Sequence, residues 1–148
     1  MINTKFIHYG TNEFDPKLFK PIKNINFCKP SGGLWASPED SPFGWEDWCI
    51  REDYNPDSLK KYFTFILSPE CKIYKIESYE DLIKLPLYNK SRHLDFEEIS
   101  KSYGAIWLTE CGEVRTHFTN PSLYGWDCDS ILIFKPEYII AHEKNSNS

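Results

Sequence analysis

The amino-acid sequence predicts a single α+β domain. Its 148 residues are one domain's worth of chain, and 16% of them are aromatic, which suits a well-packed core. Short apolar runs typical of strands are interrupted by a few short stretches with helical spacing. Because the helices fall between strands of antiparallel character and do not follow every strand, this order favours α+β over a doubly wound parallel sheet. No internal repeat is visible.

The predicted elements follow from periodicity and from turn residues. Pro16 and Pro21 prevent a long helix in the segment that contains them, and Pro86 ends the helix that Ser78 caps. In order, we expect strands at 5–10 and 33–37, a helix at 43–51, strands at 59–67 and 71–76, helices at 78–86 and 96–101, and strands at 104–109, 114–118 and 131–134. Trp45 and Trp48 share one helical face and are predicted to be core. We expect residues 1–142 to form the domain and 143–148 to form a polar tail.

Composition excludes several classes of protein. A net charge of −5 without any basic block argues against non-specific binding to duplex nucleic acid. The five cysteines are odd in number and lack a C-x-x-C pair, so we expect reduced thiols, a cytoplasmic protein and no metal site. The N-terminus lacks an apolar signal region, and no run reaches the roughly 20 apolar residues of a membrane span.

Three stretches carry residues that suit a binding site. His8-Tyr9-Gly10 ends the first strand. The second strand opens on two glycines, which let the backbone approach a neighbour closely, and continues with Trp35, whose flat face can stack on a ring. Asp127 and Asp129 immediately precede the most apolar strand, where a carboxylate needs a partner or a cavity.

These stretches, in this order, resemble the three motifs of the ADP-ribosyltransferase superfamily. The first resembles the H-G-[TS] element of the poly(ADP-ribose) polymerase and diphtheria-toxin branch. Residues 33–37, GLWAS, resemble the G-[LI]-Y-[FL]-[AS] strand of that branch, which a helix also follows. Residues 129–134, DSILIF, resemble its E-Y-[IV]-[IV]-[YF] strand. The similarity spans most of the chain and implies a split antiparallel β-sandwich with short helices.

The resemblance also implies an activity and a set of site residues. The chain would be a mono-ADP-ribosyltransferase that uses NAD and modifies a protein or nucleic-acid acceptor. Asp129 would stabilise the positive charge that develops on the ribose as nicotinamide leaves, with His8 and Trp35 as the other catalytic residues. The implied NAD contacts are His8, Tyr9, Gly10, Gly33, Trp35, Ser37 and Asp127.

The sequence departs from the family pattern at two of these positions. Trp35 stands where the family has tyrosine, and it can stack but offers an N–H in place of a hydroxyl. Asp129 stands where the family has glutamate. The rifamycin-modifying branch has a His-Tyr-Asp arrangement, so the resemblance also allows an aspartate at this position. Asp127 falls where other branches carry the first residue of an E-x-E or Q-x-E pair. A related RNA 2′-phosphotransferase would need more basic residues than Arg115 alone supplies.

The same residues are compatible with two other functions. The fold could be a catalytically weak binding module, such as a phage or mobile-element interaction protein, that sequesters a nucleotide or a host protein. It could also be a structural domain, with His8 and Asp129 as structural residues and Trp35 in the core. For the transferase we expect Asp129→Ala to abolish nicotinamide release while the melting temperature stays within a few degrees. If the variant unfolds instead, Asp129 is structural.

Overall fold

The computed structural model describes residues 4–25 and 27–144, and within them the chain is a mixed α+β fold. Seven strands form one sheet in the order β4-β5-β6-β2-β1-β3-β7. The strands are β1 (Phe6–Tyr9), β2 (Leu34–Pro38), β3 (Tyr62–Leu67), β4 (Ile73–Ile76), β5 (Ala105–Leu108), β6 (Ser130–Ile133) and β7 (Ile139–Lys144). The described helices are α1 (Trp45–Glu52), α2 (Tyr79–Ile83), α3 (Phe96–Ile99) and α4 (Glu110–Thr116). The predicted α+β class is confirmed.

Strand pairing is antiparallel throughout the described sheet, except that β4 and β5 run parallel. In the centre, β2 pairs with β6 so that Trp35 lies opposite Leu132 and Ala36 lies opposite Ile131. Residues that face each other across a pair of strands have side chains on the same face of the sheet. This register therefore decides which side chains of β2 and β6 can meet.

The two faces of the sheet carry two separate hydrophobic clusters. Leu132 and Ile106 belong to the cluster that α2, α3 and Trp126 cover, and Trp35 packs against it. Ile131 and Ile133 alternate onto the opposite face, in the cluster that includes Phe6, Phe63 and Phe65 and against which Trp107 packs. β6 is buried along its whole length because it contributes to both clusters.

Two predicted elements are wrong. The strand expected at 114–118 lies in and just beyond α4, where the Thr109 hydroxyl caps the helix by accepting the Gly112 N–H at 3.1 Å. The turn expected at Pro136 is present, but β7 follows it and pairs with β3. Glu143 and Lys144, expected in a polar tail, belong to this strand, and the remainder of that predicted tail, 145–148, lies outside the described residues.

The expected core position of the two helical tryptophans also needs correction. Trp45 and Trp48 are half-buried and stack on each other, with ring centroids 5.2 Å apart and an interplanar angle of 13°. Tyr54 packs edge-on against both rings. Cys49 is the buried residue of α1, so the helix turns its thiol toward the protein and leaves Trp45 at the surface of a cleft.

Candidate functional site

An aromatic cleft lies beside the ends of β1 and β2. Its volume is about 290 Å³, just below the range for small-molecule sites, roughly 300–1,000 Å³. The residues that line the aromatic cleft are Ile7, His8, Tyr9, Lys29, Trp35, Ala36, Ser37, Trp45, Trp126, Cys128 and Ser130. A cavity of this size suits one planar ring with a small substituent, and a dinucleotide would have to extend beyond it.

Two tryptophans build the inner wall of the aromatic cleft. Trp126 is buried and donates its indole N–H to the Cys28 carbonyl at 2.7 Å. Trp35 packs edge-on against Trp126, with ring centroids 4.7 Å apart, and remains half-buried. Because Trp126 is fixed by its hydrogen bond and by burial, it holds the Trp35 ring in place at the cleft.

The opposite wall comes from the start of α1. The Ser37 hydroxyl accepts the Trp45 backbone N–H at 3.0 Å, which ties the first turn of the helix to the end of β2. Tyr9 donates its hydroxyl to a Glu46 carboxylate oxygen at 2.9 Å. These two bonds fix the position of Trp45 relative to β1 and β2.

His8 joins the first two strands. Its Nδ1 lies 2.6 Å from the Trp35 carbonyl oxygen, and since a carbonyl only accepts, Nδ1 carries the proton and donates. The His8 ring also packs on Phe63, with centroids 5.2 Å apart. Burial lowers the His8 pKa, although the bond to Trp35 partly opposes this shift. His8 is therefore neutral at pH 7 and has a structural hydrogen bond at the cleft wall.

Lys29 supplies the positive charge of the aromatic cleft. Its ammonium lies 5.7 Å from the centroid of the Trp35 ring. Burial raises the Cys128 pKa to about 11, so this thiol is uncharged at pH 7. Burial and the neighbouring Glu46 raise the Tyr9 pKa as well. With His8 neutral, the lining combines apolar aromatic faces with one cation.

The structure does not bring Asp129 into this cleft. Asp129 is 7% exposed and lines a different cavity, together with Trp107, Ser41 and Glu110. The Trp107 indole N–H donates to Asp129 Oδ1 at 2.7 Å, and the Ser41 hydroxyl donates to Oδ2 at 3.0 Å. Burial raises the Asp129 pKa, and these two hydrogen bonds oppose the rise. Its carboxylate is thus occupied in joining β5, β6 and the turn after β2.

Side-chain alternation explains this placement. Trp35 lies opposite Leu132, so Ser130 projects from β6 on the same face as Trp35, and the aromatic cleft includes both. Asp129 is one residue away from Ser130 and projects to the other face, toward Trp107. An imidazole, an indole and a carboxylate were expected to share one cleft. The Trp35 indole lies in it, whereas His8 lines it but packs its ring on Phe63, in the cluster on the opposite face, and Asp129 lines another cavity.

The other predicted contacts divide in the same way. Tyr9 and Ser37 line the aromatic cleft, whereas Gly10 and Gly33 do not. Gly10 is exposed, and a Cβ on it would meet no atom within 4 Å. A Cβ on Gly33 would lie 2.7 Å from Leu132 Cδ1 and 2.8 Å from Ile22 Cδ1, so this glycine permits close packing of the protein on itself.

Asp127 lies outside the lining of the aromatic cleft. Its backbone is left-handed, with φ 66°, where the turn before β6 ends. Burial raises its pKa, and the positive charges of Lys29 and His117 oppose that rise. Asp127 is thus electrostatically coupled to the cleft lysine.

Several lining residues were not predicted as site residues: Lys29, Trp45, Trp126, Cys128 and Ser130. A signal for Ser130 is present in the sequence, since it lies two positions before Leu132 in the same apolar strand. Lys29 comes from an irregular segment that has no such periodicity.

Comparisons with protein-family models, with curated proteins and with solved structures find no match to this chain. In the described part of the chain, no helix has the length and hydropathy needed to cross a membrane. The same residues contain no group of three or more histidine, cysteine, aspartate and glutamate side chains arranged to hold a metal ion.

Proposed function

We propose that this chain is a nucleotide-binding module of ADP-ribosyltransferase-like fold, which holds the planar ring of NAD or a related nucleotide in the aromatic cleft. The observation that carries the proposal is the cleft itself, in which Trp35 and Trp45 line a volume of about 290 Å³ beside one lysine. Stacking of one base on an aromatic side chain contributes about 1–3 kcal/mol.

Lys29 gives the proposed ligand its second anchor. Among the lining residues it is the cation at pH 7, because burial lowers the pKa of His8. A phosphate attached to the bound ring through a sugar can pair with the ammonium as the ring stacks on the indole. A nucleotide has both groups, whereas free nicotinamide has only the ring, so we expect the nucleotide to bind more tightly.

The second candidate is the mono-ADP-ribosyltransferase that acts on a protein or nucleic-acid acceptor. One observation favours it: β1, β2 and β6, which carry the three motif-like stretches, are neighbours in the sheet. It ranks second because the Asp129 carboxylate already accepts hydrogen bonds from Trp107 and Ser41, outside the aromatic cleft. In a transferase of this geometry, Asp127, which is electrostatically coupled to Lys29, would be the acid to test.

Binding and turnover need separate measurements. We expect NAD to quench tryptophan fluorescence and to raise the melting temperature, with a stabilisation of about 2.7 kcal/mol at a hundred times its dissociation constant. Trp35→Leu and Lys29→Ala weaken this binding. Phe118→Leu, at an aromatic side chain that is 90% exposed and outside the cleft lining, leaves it unchanged.

Release of nicotinamide, followed by chromatography, separates the two candidates. Binding without release supports the binding module, and release that depends on Asp127 supports the transferase. If NAD, ADP-ribose and nicotinamide all leave the fluorescence and the melting temperature unchanged, the nucleotide-binding proposal is wrong.

A further inference from the structure

Three cavities form a continuous groove around the turn that follows β2. The aromatic cleft shares Ile7, Tyr9, Ser37 and Trp45 with a second cavity of about 190 Å³. That cavity in turn shares the turn residues 38–41 with the Asp129 cavity, whose volume is about 520 Å³. We call the second and third cavities together the acidic groove. The groove starts at the mouth of the aromatic cleft and ends at Trp107.

The lining of the acidic groove is strongly negative. Glu39 and Asp40 line both of its cavities, Glu46 and Asp47 line the part next to the aromatic cleft, and Glu110 lines the far end. Lys5 is the basic residue in this lining. Residues 39–57, which form the turn, α1 and the segment after it, contain seven acidic residues and one basic residue. Much of the net charge of −5 is thus concentrated beside this groove.

Aromatic faces at and near the acidic groove already attract cations. The Lys75 ammonium lies 4.7 Å from the centroid of Trp107, a lining residue. The Arg51 guanidinium lies 4.8 Å from the centroid of Phe43, which directly follows the turn. Since a cation over an aromatic face gains about 0.5–1 kcal/mol at an exposed site, these contacts display the chemistry that a basic ligand would use.

We infer that the acidic groove is a docking surface for a basic, arginine- or lysine-rich segment of a partner protein. Such a segment places cationic side chains against Glu39 and Asp40, while its backbone follows the turn after β2. Single-stranded nucleic acid also stacks on aromatic rings, but its phosphates would meet these carboxylates and be repelled. The inference goes beyond nucleotide binding and can fail separately from it.

The test is the binding of a labelled peptide of alternating arginine and glycine, measured by fluorescence anisotropy at low and high salt. A peptide of alternating glutamate and glycine is its counterpart. We expect the arginine peptide to bind, its affinity to fall as salt rises, and the glutamate peptide not to bind. No binding of the arginine peptide, equal binding of both peptides, or preferential binding of single-stranded DNA would overturn the inference.

Two double variants with the same change in net charge locate the binding surface. Glu39→Lys with Asp40→Lys reverses two exposed carboxylates of the groove, and Glu80→Lys with Glu137→Lys reverses two exposed carboxylates outside its lining. We expect the first pair to weaken peptide binding about tenfold and the second pair less than about twofold. Equal losses would show that net charge alone attracts the peptide.

A milder pair guards against misfolding. Glu39→Gln with Asp40→Asn removes the charges and keeps the side-chain shapes, and we expect a smaller loss in the same direction. Nucleotide binding, measured on the same proteins, should persist, because neither residue lines the aromatic cleft. Loss of peptide binding with nucleotide binding intact supports a separate docking surface. Full peptide binding by this pair contradicts it.

Discussion

Replacing Asp129 by alanine would remove the side chain that links β5, β6 and the turn after β2. The carboxylate accepts the Trp107 indole N–H at 2.7 Å and the Ser41 hydroxyl at 3.0 Å, and the residue is 7% exposed. A hydrogen bond to a charged group contributes about 1.5–3 kcal/mol, but burying the charge costs part of that gain. We therefore expect the variant to lose about 2–4 kcal/mol of unfolding free energy.

The assay is thermal and denaturant unfolding of wild type and variant. For a chain of this size, each 1 kcal/mol moves the melting temperature by about 2–4 °C, so the expected decrease is roughly 4–16 °C. The resemblance to the ADP-ribosyltransferases led to the opposite expectation, a melting temperature within a few degrees of wild type and loss of nicotinamide release. The two outcomes separate a structural from a catalytic aspartate.

Asp129→Asn is the matched control. The amide keeps an oxygen that accepts the Trp107 N–H, and its NH₂ can donate to the Ser41 hydroxyl oxygen. Because burial raises the Asp129 pKa, the ionised carboxylate is less favourable in the folded than in the unfolded chain at neutral pH. The neutral amide avoids that cost, so asparagine should lose less than about 1 kcal/mol. If alanine is as stable as wild type, or if asparagine is as damaging as alanine, the structural role is refuted.

Three further predictions concern other parts of the fold. Gly112→Ala should cost about 3 kcal/mol or more of unfolding free energy in denaturant, because the new Cβ would lie 1.9 Å from the Ile76 carbonyl oxygen. Val114→Ala, at an exposed position of the same helix, should change stability little. Equal effects of the two substitutions would contradict this packing. A thiol reagent should label Cys111 rapidly in the folded protein and all five cysteines in guanidinium, because the other four are buried; rapid labelling of a second thiol would be inconsistent with that burial. Burial lowers the His8 pKa below the unfolded value of 6.5. Between these two pKa values the unfolded chain binds more protons than the folded chain, so the free energy of unfolding decreases as the pH is lowered, by at most about 1.4 kcal/mol per pH unit. His8→Gln should flatten this part of the pH profile, and an unchanged profile would show that His8 does not titrate as described.

The sequence predicted most strands because their apolar patterns are local. β1, β2 and β6 lie where the apolar runs and their flanking turn residues placed them. α4 was missed because a strand was predicted at 114–118, whereas Thr109 caps a helix that covers the first part of this stretch. Gly112 is required in that helix by the nearby Ile76 carbonyl, a tertiary contact that no local pattern reveals. β7 was missed for a similar reason, since its partner β3 is distant in sequence.

Only part of the candidate site could be predicted. The sequence gives the residue types on each strand, but the pairing register, which decides the residues that face each other, depends on the folded sheet. The aromatic wall was identified, since Trp35 and Ser37 alternate on β2 and keep one face whatever strand pairs with them. The position of Asp129 outside the cleft was not predicted, because the face on which Asp129 lies depends on which residue of β6 lies opposite Trp35. Leu132 lies there, so the even-numbered positions 128 and 130 face the cleft and Asp129 faces Trp107.

A one-residue difference in register can therefore separate a sequence motif from the site that it resembles. A short apolar strand preceded by an acid can be aligned with a catalytic strand at several registers, and shifting the pairing by one residue exchanges the two faces. In this chain the exchange places Ser130 in the cleft and an aspartate in a structural hydrogen-bond network on the other side. Among the described residues, the lining of the aromatic cleft includes no carboxylate to stabilise charge on a ribose, and the proposed binding of a ring and a phosphate rests on its aromatic faces and Lys29. This register is the reason that we rank the proposed binding module above the transferase.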